Sequence, residues 1–192
     1  MPKVTFNNGI AYAKRASCAN IDACNAVGVA QSAVLTNGTL VTLGGMGVAP
    51  AATGMGYVYN VTPTTGATQP DVWMVVTPAV PTDSIDNIYI DPRAYAAPAG
   101  RPVDIVRPMA GTDVFHVSKA VFGSNQVPDA TTNKYVCAAA NGQMKAGATA
   151  TAAGGTTGIV FLCIGVEKIP VGQEFVDGYI LKCIQNPLPA IS

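Results

Sequence analysis

Twenty glycines and fourteen prolines are spread along the 192 residues. Between them almost no stretch keeps the apolar period of an amphipathic helix, so long helices have nowhere to form. What remains are short runs rich in Val, Ile, Thr and aromatic residues, each bounded by turn residues. Such runs predict strands at Val4–Phe6, Gln31–Leu35, Thr39–Leu43, Tyr57–Val61, Val72–Thr77 and Ile88–Ile90, then at Val103–Val106, Val114–Val121, Lys134–Ala138, Ile159–Val166 and Tyr179–Ile184. Within Val114–Val121, Phe115, Val117, Lys119 and Val121 share one face, and Val114, His116, Ser118 and Ala120 share the other. The expected fold class is all-β, with small barrel- or sandwich-type modules, Gly/Pro-rich loops and little helix. A single helical turn is expected at Thr82–Asn87, where "TDSIDN" offers capping residues.

Two turns organise this reading. Asn37-Gly38 in "LTNGTLVTLGG" predicts a hairpin turn with positive φ at both central positions. Asn141-Gly142 repeats the pattern. Each pair precedes a Gly/Ala-rich loop, "GGMGVAPAATGMG" or "GATATAAGGTTG", and then an apolar strand. The two copies are either a weak internal duplication or convergence on one turn-loop-strand grammar. Residues 81–112 are rich in proline and predict an irregular connection. They divide an N-terminal β module with an N-terminal arm (1–80) from a C-terminal β module (113–192), unless the whole is one compact domain.

Apolar residues make up 49 % of the chain, enough for a sizeable core, while charged residues make up only 11 %. About 25 % is usual. Either much of the surface is covered by other subunits, where charge is depleted, or it is a neutral Thr/Ala/Gly surface. Formal net charge is zero, which argues against a backbone-tracking nucleic-acid role and against electrostatic docking on an anionic membrane. The first residues lack the apolar core of a signal peptide. The densest apolar run, Gly158–Val166, is too short to span a bilayer. Synthesis in a cytoplasm is the expectation.

The search for chemistry finds no catalytic, cofactor or metal residue set. His116 is the single histidine, flanked by Phe115 and Val117, with no nucleophile motif around it. Asp83, Asp86 and Asp91 cluster without the spacing of a calcium loop and read as turn and cap residues. The Gly-rich loops lack the Lys-Ser/Thr of a phosphate-binding loop and lead into strands, so no helix N-terminus follows them. Of the five cysteines, Cys137, Cys163 and Cys183 lie in apolar runs and read as small buried hydrophobes. Cys18 and Cys24 are close enough in sequence to pair if the loop between them turns back.

The segment "AGRPVDIVRPMAGTDVFHVS" brings a family into view. With Lys3–Gly9 ("KVTFNNG"), Leu35–Val41 ("LTNGTLV"), Ala99–Arg101, Gly111–Phe115 (where Thr112 intervenes) and Lys134–Glu167, the chain resembles decoration, or cement, proteins of tailed-bacteriophage heads. The resemblance covers most of the chain and rests on turn and strand grammar. It implies a virion structural protein on the outer capsid surface, made in the host cytoplasm and acting without a cofactor. Its partners would be the major capsid protein and copies of itself, with a trimer favoured. Candidate capsid contacts are Lys3, Val4 and Phe6, for which strand addition is the expected mode, together with Lys14 and Arg15. A tail or fibre protein with host-binding loops is the alternative.

Overall fold

The computed structural model describes residues 8–15, 25–47, 58–77, 92–155, 157–171 and 173–189. Its fold is all-β. Among the described residues, eleven strands run in chain order: β1 (Ala11–Arg15), β2 (Asn25–Val29), β3 (Leu40–Gly47), β4 (Val58–Pro63), β5 (Val72–Val75), β6 (Pro102–Val106), β7 (Val114–Ser118), β8 (Tyr135–Ala138), β9 (Met144–Gly147), β10 (Val160–Val171) and β11 (Glu174–Gln185). A single-turn α-helix, α1 (Ala150–Ala153), starts at Thr149, whose hydroxyl accepts from the Ala152 N–H at 3.0 Å. That is N-capping by a side-chain oxygen. Gly154 ends the helix with a positive φ of 97°.

The strands form two bodies. A closed barrel runs β2-β4-β3-β5-β6, and a six-stranded sheet runs β1-β7-β11-β10-β8-β9. The barrel packs Leu35, Val41, Val61, Trp73, Val75, Val103 and Ile105 inside. The sheet's inner face carries Phe115, Val117, Val136, Met144, Phe161, Tyr179 and Leu181, and against it lie Leu40, Val72 and Met74 from the barrel. Aromatic edges meet faces there: Phe115 and Phe161 have centroids 6.2 Å apart, and Phe122 and Tyr179 are 5.4 Å apart.

The division at residues 81–112 does not survive. Strand β6 lies within that stretch and closes the barrel by pairing with β2 and β5. Strand β1, near the N-terminus, belongs to the sheet and pairs with β7. The barrel therefore takes a strand from the expected connection itself, and the sheet takes strands from both sides of it. Gln31–Leu35 is not a strand; only Leu35 forms a bridge, to Ala97. Val114–Val121 stops at Ser118, where Lys119–Phe122 tightens into a 3-10 turn that buries Val121 and Phe122. The expected strands Val4–Phe6 and Ile88–Ile90 and the helical turn at Thr82–Asn87 lie outside the described residues, as do Cys18 and Cys24.

The two Asn-Gly turns differ. At Asn141 (φ 58°) and Gly142 (φ 70°) both residues are left-handed, and they join the paired strands β8 and β9 in a hairpin. At Asn37-Gly38 only Gly38 is left-handed (φ 84°), and the Thr39 N–H donates to the Thr36 carbonyl at 3.1 Å. That is type II geometry. Its flanks are not a strand pair, so the expected hairpin there is a corner leading into β3. Asn37 holds the corner by its side chain, which accepts from Thr77 N at 2.8 Å and donates to Thr77 O at 3.0 Å.

Candidate interaction surface

Strands β10 and β11 form a hairpin that outgrows the sheet carrying it. β8 pairs with β10 only at Val160–Leu162, and β7 pairs with β11 only at Gly178–Lys182. Beyond both sets of positions the two long strands continue to pair with each other, from Lys168 opposite Asp177 to Val171 opposite Glu174. A register shift between Cys163 and Gly165 marks where the hairpin departs from the sheet, the position at which a bulge adds bend and twist. Apolar side chains cover both strands, yet four of them face outward: Ile164, Val166, Phe175 and Ile184 are 50 %, 58 %, 68 % and 40 % exposed.

The arm bends back over the outer side of β7. There Ile169 and Val171 pack with Ile10 and Val176. The fit depends on Gly178, because a Cβ at that position would lie 2.6 Å from the Glu167 carbonyl, from His116 Nε2 and from Ile169 Cγ1. His116 is buried beneath the arm, with Nε2 3.3 Å from the Glu167 carbonyl. A carbonyl only accepts, so this pairing puts a proton on Nε2. Ser118 lies two residues along, buried, its Oγ accepting from the Ile10 N–H at 2.9 Å. Histidine and serine are thus each occupied in holding a strand or the arm.

A cleft of about 570 Å³ opens between the arm and the body, lined by Asn8, Ile10, Arg93, Lys119, Lys168 and Phe175 among others. Arg93 spans to Glu174 at 3.0 Å, tying the segment before the barrel's last strand to the arm. Lys168 and Asp177 form an ion pair across the hairpin. The hydrogen bond and charge of Lys168 hold the Asp177 carboxyl below its ordinary range, with Lys119 adding to the effect. Exposed apolar and aromatic chains beside paired charges are the composition of a protein interface. Among the described residues no group of three or more His, Cys, Asp and Glu is placed to hold a metal ion. No helix among them is long and apolar enough to cross a membrane.

The residues singled out from the sequence fall elsewhere. Lys3, Val4 and Phe6 lie outside the described residues. The backbones of Lys14 and Arg15 belong to β1, at the edge of the sheet, with Arg15 opposite Val114. Asn141-Gly142 sits where barrel and sheet meet: the Gly142 N–H donates to the Thr64 carbonyl at 3.0 Å, and the Thr64 hydroxyl donates to the Ala139 carbonyl at 2.9 Å. Sequence reading missed the projecting arm, although its signal is present. The expected strand Ile159–Val166 continues as "EKIPV", an alternating polar-apolar run that its charges and proline concealed.

These observations define an all-β protein of two interlocked bodies with one projecting, partly apolar arm. Comparison with family models, curated proteins and solved structures gives no match.

Proposed function

We propose that this chain is a virion structural protein that decorates the outer surface of a bacteriophage capsid and stabilises it by binding across capsid-subunit boundaries. The observation that carries the reading is the arm: an outward Ile164, Val166 and Phe175 on a chain with only 11 % charged residues. Exposed apolar patches on a soluble body mark surfaces that meet other proteins. The resemblance in strand and turn grammar supplies the partner, the major capsid protein. Lattice repetition multiplies a modest contact, so each one need not be strong. The protein acts by shape and contact, together with copies of itself, and needs no cofactor.

The test is to purify the assembled particle and locate this chain by electron microscopy. Density on the outer shell, straddling neighbouring capsid subunits, is the expected result. Density on the tail or fibre would replace this reading with a host-contact role, and absence from the particle would end it.

A further inference from the structure

The outer face of the sheet is only partly covered. Toward β7 the arm lies over it. Toward β8 the cover is α1, where Ala153 packs with Cys137 and Val160. Between these covers runs a cross-strand row: Val114, Lys182, Leu162 and Tyr135 stand opposite one another on β7, β11, β10 and β8. Directly opposite residues share a face, and the face alternates along each strand. Phe115, Leu181, Phe161 and Val136, the next residues along, fill the core behind, so the row points away from it. Ile180, partly buried, and Ile184, exposed, flank Lys182 on β11, and exposed Ile164 follows Leu162 on β10. The charge on this face has one sign. Lys182 stands in the row, Lys145 is exposed opposite Cys137, and the Lys134 ammonium lies 5.9 Å from the Tyr135 ring centroid. No aspartate or glutamate occurs in residues 114–118, 135–138, 144–147, 160–165 or 179–185. Among the described residues the ion pairs belong to Arg93, Arg107 and Lys168, and these lysines take no part in them.

We infer that this face docks a partner protein surface that presents carboxylates among aliphatic side chains, with one carboxylate opposite Lys182. The inference rests on the capsid reading and assigns that surface to the shell protein. An apolar cover without a carboxylate would leave the partly buried Lys182 ammonium desolvated and unpaired, at high cost. A carboxylate there makes a charge-assisted hydrogen bond instead. Lys134 and Lys145, toward the β8 and β9 side, extend the same preference for an acidic partner. A second copy laid on by the same face would set one cationic face against another, because a two-fold axis brings like surfaces together. An anionic membrane is the poorer match, since a chain of zero net charge holds it by these few lysines alone.

Co-sedimentation of the whole chain with capsid-protein shells assembled without it, over a concentration series, tests this. Lys182→Glu, which sets like charges across the contact, should raise the dissociation constant about tenfold or more. Lys182→Arg, which keeps the charge, should bind like the parent. Ile184→Glu, a second position on the face, should weaken binding as Lys182→Glu does. Val34→Glu, an exposed position on the barrel body, should leave it unchanged. Circular dichroism and urea midpoints matching the parent show that each variant is folded. Parent-like binding by both Lys182→Glu and Ile184→Glu would overturn the assignment of this face and leave the capsid reading standing. Failure of the parent itself to bind the shells would end both. Retention of the parent but not of Lys182→Glu on phosphatidylserine vesicles would give the face to a membrane and overturn the inference. A parent dimer in sedimentation velocity that Lys182→Glu dissociates would give it to a second copy and do the same.

Discussion

Replacing Asn186 with alanine should unfasten the barrel from the sheet. Asn186 is buried just after β11, and its side chain makes three hydrogen bonds, two to Val72 in the barrel and one to Pro108 in the segment that leaves it. Its amide donates to the Val72 carbonyl at 2.8 Å and to the Pro108 carbonyl at 3.0 Å, while its oxygen accepts from the Val72 N–H at 3.1 Å. Around it, Arg107 donates to the Asn186 carbonyl at 3.0 Å and to Asp71 at 2.6 Å, and Asp71 N donates to the Pro187 carbonyl at 2.8 Å. Each ordinary hydrogen bond contributes roughly 0.5–1.5 kcal/mol net, and orphaned buried groups cost more. Three such bonds put Asn186→Ala at about 2–4 kcal/mol, a large share of the roughly 5–15 kcal/mol that holds a domain together. Asn186→Asp should be at least as damaging, since it turns the donor into lone pairs facing two carbonyls. The assay is urea unfolding followed by fluorescence of Trp73, the single tryptophan, and by circular dichroism. Both probes should move to a lower midpoint together. A loss below ~0.5 kcal/mol, or an aspartate variant as stable as the parent, would refute the assignment of Asn186 as the clasp.

Gly178→Ala should destabilise the protein and loosen the arm, because the new Cβ would meet the Glu167 carbonyl at 2.6 Å; hydrogen exchange at Ile169 and Val171 would report it, and unchanged protection would count against the packing described. Asp129 accepts from the backbone and side chains of Thr131, Thr132 and Asn133, and these bonds, those of Thr132 first, hold its carboxyl far below the ordinary value. A depressed folded pKa stabilises above the unfolded value, and that stability is lost as pH falls through the acidic range toward the folded one. Asp129→Ala should therefore lower the melting temperature at neutral pH and flatten its decline in acid; an unaltered acid profile would oppose this. Burial pushes the Cys137 thiol up to about 11 and the Cys183 thiol up to about 12, and raises that of Cys163. All three should resist iodoacetamide at pH 8 until denaturant is added, and peptide mass mapping that finds them alkylated in the native state would contradict the buried placement.

Strands with β-branched or aromatic residues were legible because packing in a pleated core demands those shapes. β5, "VWMV", and β7, "VFHVS", are examples. Three strands escaped because their residues carry no such mark. β1 reads "AYAKR", β2 "NAVGV" and β9 "MKAG", and each is specified by the neighbour that pairs with it. Gly28 in β2 shows the reason, since a Cβ there would lie 2.8 Å from Val61 Cγ1. Small residues are required where barrel walls crowd, and intrinsic strand preference gives way to that demand. The Asn37 turn was legible as a turn but not in its type, because type depends on where the flanking segments go. The candidate surface was least legible. Ile164, Val166 and Phe175 look like core residues in sequence, and only the length of β10 and β11 relative to β7 and β8 brings them out.

The shared wall explains why neither body is a separable module. In β3 and β5, alternate side chains feed different cores. Val41, Trp73 and Val75 fill the barrel, while Leu40, Val72 and Met74 turn outward into the core of the sheet. A strand normally exposes one face to water and buries the other. Here both faces of β5 are buried along all four residues. Removing the sheet would lay Leu40, Val72 and Met74 bare, and removing the barrel would uncover Phe115 and its neighbours from the other side. Each body is thus the cover for the other's apolar face. A chain organised this way keeps its charged residues few without losing its core, and its longest strands, β10 and β11, run past β8 and β7 to fold back over the body at Ile10.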